Sequence, residues 1–194
     1  MGETRYEFSG KLYEIRMPDE IYDVFDETGT KKIGEATWTE CHTKGLLHKS
    51  VSVLIFKDAT KRETLLQRRS FKMDQQPGKW QHSAGGHILA GDTVDEGIHK
   101  ELQEELFFNH PLPPIELKKI TTFLNHDIPN NYELLTLYEA VYHGPFYFDP
   151  KEVEEEPRWI GWNELLVDMK NNPEIYTPAF HNIMREYLKH LSSP

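Results

Sequence analysis

Three glutamates, Glu101, Glu104 and Glu105, fall within two turns of the helix implied by the run V-D-E-G-I-H-K-E-L-Q-E-E-L. Carboxylates at i, i+3 and i+4 project to the same side of a helix. At roughly 100° per residue, Glu101 and Glu105 stand about 40° apart around the axis and Glu104 about 60° the other way. Like charges held this close repel one another. A hard divalent cation relieves the repulsion, because Mg²⁺ takes oxygen ligands and keeps part of its water shell. The implied chemistry is metal-assisted reaction at phosphorus. A glycine-rich stretch, Gly85 to Gly91, precedes the helix and lets backbone approach a phosphate closely. A solvated helix face draws on the same residue types, and the flanks argue against it. Val94, Ile98, Leu102 and Leu106 recur every four residues as an apolar stripe. The acids occupy the neighbouring stripe, at the edge of a packed surface where a cleft can form.

The segment from Gly86 to Phe108 resembles the Nudix box, whose pattern is G, five residues, E, seven residues, R-E-U-x-E-E-x-G-U with U aliphatic. The spacing from Gly86 is kept throughout. Glu101, Glu104 and Glu105 fall on the family carboxylates that hold Mg²⁺ or Mn²⁺, and Leu102 falls on an aliphatic position. Asp92 stands where the family has Glu, Lys100 where it has Arg, and Phe107 where it has Gly. The first two imply a shorter, less directional version of the family's ion-paired brace. Phe107 removes the usual terminating glycine and leaves the helix end to be set by Asn109 and H-P-L-P-P.

The segments L-L-H-K-S-V-S-V-L-I-F, L-L-Q-R-R-S, P-G-K-W, S-A-G-G-H, H-G-P-F and E-V-E-E-E-P-R-W-I resemble the branch of the Nudix superfamily that holds type 1 isopentenyl diphosphate isomerase and similar hydrolases. The likeness runs over about residues 18–180. In that isomerase three histidines and two glutamates hold a metal. His48 and His87 lie in matching contexts, His42 matches loosely, Glu133 matches one glutamate, and Asn131 stands at the other. The competing reading leaves His48 hydrogen-bonded at a strand start and His42 in a loop. The isomerase also carries a catalytic cysteine two residues before the histidine of S-x-C-G-H. Gly85 occupies that place here, and Cys41, the only cysteine, lies far off in sequence.

The resemblance implies a Nudix-type α/β/α sandwich with a mixed β-sheet, expected as a single domain over 1–194. It implies a metal-dependent Nudix diphosphohydrolase that cleaves the P–O–P linkage of a nucleoside diphosphate derivative or related small molecule by water attack at phosphorus. Glu101, Glu104 and Glu105 would hold Mg²⁺ or Mn²⁺. Glu105, Glu101 and Glu133 are the candidate catalytic carboxylates. Arg68, Arg69, Lys72 and His87 are the candidate substrate contacts, and Gly86, Asp92 and Lys100 the structural members of the motif. Two alternatives stand beside this reading: an isomerase-like enzyme, and a catalytically weak binding module that kept the fold.

Arg68 and Arg69 end a predicted strand, where neighbours face opposite sides, so one could reach a diphosphate while the other braces a carboxylate. A second acidic run, Glu152, Glu154, Glu155 and Glu156, ends at Pro157 and reads as a solvated connection beside the site. The formal net charge of -10 argues against broad binding to nucleic-acid polymers or anionic membranes, so neither is expected as a partner. No apolar run approaches the roughly 20 residues that span a bilayer. The polar start M-G-E-T-R-Y carries no signal-peptide pattern, so cytoplasmic residence is expected. One cysteine excludes an intrachain disulfide and a cysteine-built zinc site. The oligomeric state is left open, with a homodimer as one option.

These motifs need elements to hold them. Strands are expected over 20–25, 32–38, 48–56, 63–69, 115–124, 132–142 and 159–162, a loop over 70–82, and helices over 163–169 and 178–191 besides the box helix.

Overall fold

The longest apolar run in the chain becomes its central strand. In the computed structural model, which describes residues 4–8, 11–15, 19–73, 75–149, 151, 153–154 and 157–192, β-strands run over Thr4–Phe8 (β1), Lys11–Ile15 (β2), Ile21–Phe25 (β3), Lys32–Thr37 (β4) and His48–Phe56 (β5). Further strands are Glu63–Arg68 (β6), Trp80–Gln81 (β7), Ala84–His87 (β8), Lys118–Asn125 (β9), Glu133–Val141 (β10) and Arg158–Gly161 (β11). Helices are Trp38–Lys44 (α1), Val94–Glu105 (α2), Trp162–Asn171 (α3) and Pro178–Ser192 (α4).

The seven-stranded sheet has the order β11-β6-β5-β10-β9, with β7 on β6 and β8 on β5. Only β5 and β10 pair in parallel among its named strand pairs, placing His48 opposite Glu133. Both strands are buried almost throughout, as a strand covered on two faces requires. Alternation splits their side chains. Val51, Val53, Ile55, Tyr138 and Ala140 face α2 with Ile98, Leu102 and Leu106. Leu54, Phe56, Leu135 and Leu137 face α3 and α4 with Leu165, Phe180, Ile183 and Tyr187. The result is the expected mixed sheet between helices. Among the described residues no helix is long and apolar enough to cross a membrane.

The apolar stripe of α2 is buried as its four-residue spacing demands, with Ile98, Leu102 and Leu106 each 0 % exposed. Thr93 caps α2 in a reciprocal capping box with Glu96. The helix ends without glycine. Leu106 caps it, Asn109 takes φ 58°, and Phe107 turns into the core to pair with Tyr147. Gln103 Nε2 donates to the carbonyls of Phe107 and His110 at 2.6 and 2.7 Å. The lost glycine is thus replaced by a buried aromatic and a side-chain cap. The β3–β4 hairpin packs beside β5, where Tyr22, Val24, Ala36 and Cys41 form a small core of their own.

Candidate active site and metal centre

Four side chains converge at the end of the sheet where β5 and β10 begin. Ligand atoms of His42, His48, His87 and Glu133 all lie within 4.8 Å of one another, and they form the one such histidine and acidic group among the described residues. Each comes from a different element: His42 from α1, His48 from the start of β5, His87 from the end of β8 and Glu133 from the start of β10. His42 is therefore helical, not a loop residue. The signal was present in T-W-T-E, whose Thr37 and Glu40 make a capping box, and in Gly45, which closes the helix at φ 66°.

The tautomers suit a cation. His42 Nδ1 lies 2.8 Å from the Trp38 carbonyl and His48 Nδ1 lies 2.9 Å from that of Leu46. Each Nδ1 must donate, which leaves each Nε2 as a lone pair. His48 Nε2 is buried without a hydrogen-bond partner. His87 Nε2 stands 3.3 Å from Glu133 Oε1, inside ion-pair range, yet is not aligned as a hydrogen bond. The two groups are close but not hydrogen-bonded. Burial and then the neighbouring His87 push the His48 pKa down to about 4. Burial likewise lowers that of His42. Both rings are neutral at pH 7, the form that binds metal. Burial alone would raise the Glu133 pKa, but His87, Asn131 and His48 beside it hold the carboxyl well below the usual range. Glu133 also accepts from Ser50 Oγ at 2.9 Å, Asn125 Nδ2 at 3.1 Å and Asn131 Nδ2 at 2.8 Å. Orphaned buried lone pairs beside a fixed carboxylate fit a divalent cation.

The three helix glutamates divide by depth. Glu105 is buried and accepts from Gln67 Nε2 at 2.8 Å and Gly85 N at 2.9 Å, tying α2 to β6 and β8. Glu101 is half-buried against Gly86, where an added Cβ would stand 2.6 Å from its Oε2. Glu104 is exposed, 3.8 Å from Lys100 Nζ. The expected Asp92–Lys100 brace is not made. Asp92 lies in the turn before the Thr93 cap, and Lys100 faces its own helix one turn on. A double-mutant cycle of Asp92→Ala and Lys100→Ala should accordingly give coupling within about 0.3 kcal/mol of zero in urea unfolding; a coupling near 1 kcal/mol would restore the brace.

Of the candidate phosphate contacts, Arg68 donates to the Gly78 carbonyl at 2.9 Å and its guanidinium lies over the rings of Phe71 and Trp80. Arg69 donates to the Gln75 carbonyl at 3.0 Å and to Gln81 Oε1 at 3.2 Å. Both fasten the loop ahead of the box. Lys72 is exposed on that loop. Glu154 takes part in closing it, accepting from Phe71 N at 3.0 Å. Glu152, Glu155 and Glu156 lie outside the described residues.

His82 was not singled out by sequence. Its Nε2 lies 3.2 Å from Ser52 Oγ, and its Nδ1 is buried without a partner. Burial and then Arg69 push its pKa down to about 4. An unfolded histidine titrates near 6.5, so between pH 6.5 and 4 the unfolded chain binds more protons than the folded one. This contribution to stability is fully present above pH 6.5 and is lost as pH falls toward 4. Lowering the pH from 7 to 5 should cost wild type up to about 2 kcal/mol more than His82→Gln. Parallel pH slopes in the urea midpoints of the two proteins would refute the assignment.

The model of the NUDIX domain family matches residues 46–180. The chain belongs to that family. It is 33% identical over 174 residues to "Isopentenyl-diphosphate Delta-isomerase 2" of Photorhabdus laumondii, covering 86% of this chain and 91% of that protein. It is 38% identical over 182 residues to "Nudix hydrolase 3" of Arabidopsis thaliana, covering 89% of this chain but 23% of that longer protein. Among solved structures, DR0079 from Deinococcus radiodurans shares the fold, with a TM-score of 0.67 at 19% identity over 81% of this chain and 93% of that one. The NUDIX domain of Shewanella oneidensis NrtR, solved with ADP ribose, does so at a TM-score of 0.54 and 17% identity, covering 75% and 87%.

Proposed function

We propose that this protein is a metal-dependent hydrolase of a diphosphate linkage, built on the isomerase-like branch of the Nudix fold. The observation that carries the reading is Gly85. No thiol stands there, and a Cβ at Gly85 would sit 2.3 Å from the Val51 carbonyl oxygen and 2.8 Å from His82 Nε2. The one thiol of the chain, Cys41, is fully buried, and burial followed by Glu40 pushes its pKa up to about 11. A proton shuttle across an allyl unit therefore lacks one of its two groups, whereas water attack at phosphorus needs carboxylates and a cation.

His42, His48, His87 and Glu133 are the residues best suited to hold a divalent cation, with Glu101, Glu104 and Glu105 available to a second one beside the diphosphate. Mg²⁺ or Mn²⁺ bound there would supply Lewis-acid polarisation of the diphosphate and a more acidic water. The proton of the attacking water goes to Glu105. Glu133 is a poor base, because its neighbours hold it ionised. Water oxygen bonds to phosphorus, the bridging P–O bond breaks, and two phosphate-bearing products leave. Lys72 lies on the loop that Arg68 and Arg69 fasten, the loop that would face the departing charge.

A screen of nucleotide sugars, dinucleotide cofactors, nucleoside diphosphates and prenyl diphosphates with Mg²⁺ or Mn²⁺ tests the proposal. Release of phosphate or mononucleotide from at least one, abolished by chelator, is the expected result. Isomerisation of isopentenyl diphosphate without any hydrolysis would replace it with the alternative.

A further inference from the structure

Beside the metal cluster, the loop joining β9 to β10 encloses an open cleft of about 390 Å³ lined by His126, Asp127, Ile128, Pro129, Asn130 and Tyr132. The volume lies within the range of small-ligand sites. The loop is pinned where it enters β10 and by a turn within it. His48 N donates to the Tyr132 carbonyl at 3.2 Å, Asn131 N closes a turn on the Ile128 carbonyl at 3.1 Å, and Asn130 sits at φ 63°.

Asp127 is held by one oxygen only. Its Oδ1 accepts from Ile128 N at 3.0 Å and Asn131 Nδ2 at 2.7 Å. The other Asn131 amide hydrogen goes to Glu133 Oε1 at 2.8 Å. An amide placed between two carboxylates must present its NH₂ to both, so this orientation is chemically forced. Asp127 Oδ2 has no hydrogen-bond partner among the described residues and is not among the buried orphan atoms, so it is open to the cleft. In the same lining, His126 lies flat on Tyr132 with ring centroids 4.2 Å apart and planes 14° apart. The Tyr132 ring also lies against Gly45, where an added Cβ would meet it at 3.2 Å. His126 is exposed, so the outer face of this two-ring ledge is open.

We propose that this cleft is the subsite for the organic end of the substrate, and that it takes a planar group bearing a hydrogen-bond donor. The inference rests on the hydrolase reading only for the phosphate end. An anchored carboxylate repels phosphate, which turns that end toward the cluster. The same oxygen accepts from an amine or a sugar hydroxyl, while the His126 face stacks on a ring. An isoprenoid chain in this place would strip water from Asp127 Oδ2 and return no hydrogen bond, a penalty that selects against apolar substrates.

Equilibrium binding to the full chain in Mg²⁺ tests this with adenosine, inosine and 2′-deoxyadenosine 5′-monophosphates and dimethylallyl monophosphate. Adenosine monophosphate should bind at least about tenfold more tightly than the prenyl compound, a margin that one charge-assisted hydrogen bond supplies. Asp127→Asn should remove that margin, by weakening the adenosine compound and by lowering the desolvation penalty on the prenyl one, and His126→Ala should weaken adenosine and inosine compounds alike. Loss with inosine names the amine as donor, and loss with the deoxy compound names the hydroxyl. Equal affinity for the adenosine and prenyl compounds, a margin that survives Asp127→Asn, or no loss with either analogue would overturn the proposal. Because none of these measurements needs turnover, a failure to cleave any diphosphate would sink the hydrolase reading separately.

Discussion

Glu105→Gln is expected to lower kcat about a hundredfold or more while the fold stays in place. Glu105 has two tasks that this substitution separates. As an acceptor, one carboxylate oxygen ties Gln67 Nε2 and Gly85 N to α2. A glutamine carbonyl accepts the same two bonds, so the thermal midpoint should move by no more than a few degrees. As a charge, Glu105 would, in the proposed mechanism, take the proton of the attacking water and help attract the cation, and glutamine would do neither. Glu133→Gln should reduce activity comparably by another route. Its carboxylate is surrounded by donors from Ser50, Asn125 and Asn131, so an amide must turn one NH₂ hydrogen toward groups that already donate. Reduced affinity for Mn²⁺ in a competition titration should accompany that loss, whereas Glu105→Gln should affect rate more than cluster affinity. Steady-state rates within threefold of wild type in both variants would remove these carboxylates from the chemistry.

The helix that carries Glu105 was legible because two independent signals coincide on it. Its apolar stripe and its acidic stripe are set by one periodicity, and Ile98, Leu102 and Leu106 are buried as the stripe requires. The strands over 48–56 and 63–69 were legible for a like reason, their apolar content and length, and β5 and β6 fall there. What local pattern could not reach was assembly across distance, which the family resemblance alone suggested for His42, His48, His87 and Glu133. The parallel pairing of β5 with β10 brings His48 beside Glu133, although 85 positions separate their numbers; no local pattern encodes that register. Asp127 is invisible for the same reason, since in H-D-I-P-N-N-Y it reads as a turn residue. The Asp92–Lys100 brace failed in a different way. It was carried over from a motif, but the Thr93–Glu96 capping box starts the helix after Asp92 and leaves Lys100 nearest Glu104.

On the proposed hydrolase reading Gly85 is the residue that sets this chain apart from an isomerase, and placing a thiol there should not produce that reaction. Gly85→Cys places a Cβ 2.3 Å from a backbone oxygen, that of Val51, which no rotamer change relieves. It also lies 2.8 Å from His82 Nε2 and from Ser52 Cα. β8 pairs with β5 at this point, Ser52 opposite Gly85, so the strain falls on the sheet itself. Overpacking of this kind typically costs about 1–3 kcal/mol, and it also pulls Gly85 N away from Glu105. The variant should therefore melt lower, lose hydrolysis, and show no interconversion of isopentenyl and dimethylallyl diphosphates with Mg²⁺ or Mn²⁺ present. Wild type should show none either, and its hydrolysis should survive Cys41→Ser, since that thiol is buried in the core of Tyr22, Val24 and Ala36. The measurement is NMR of isopentenyl diphosphate incubated with each protein in deuterated water. Deuterium entering dimethylallyl diphosphate with wild type, and vanishing in Cys41→Ser, would mean that the buried thiol reaches substrate. Deuterium entering only with Gly85→Cys would mean that β8 yields enough to admit a side chain, and that a single residue holds the chain on the hydrolytic side.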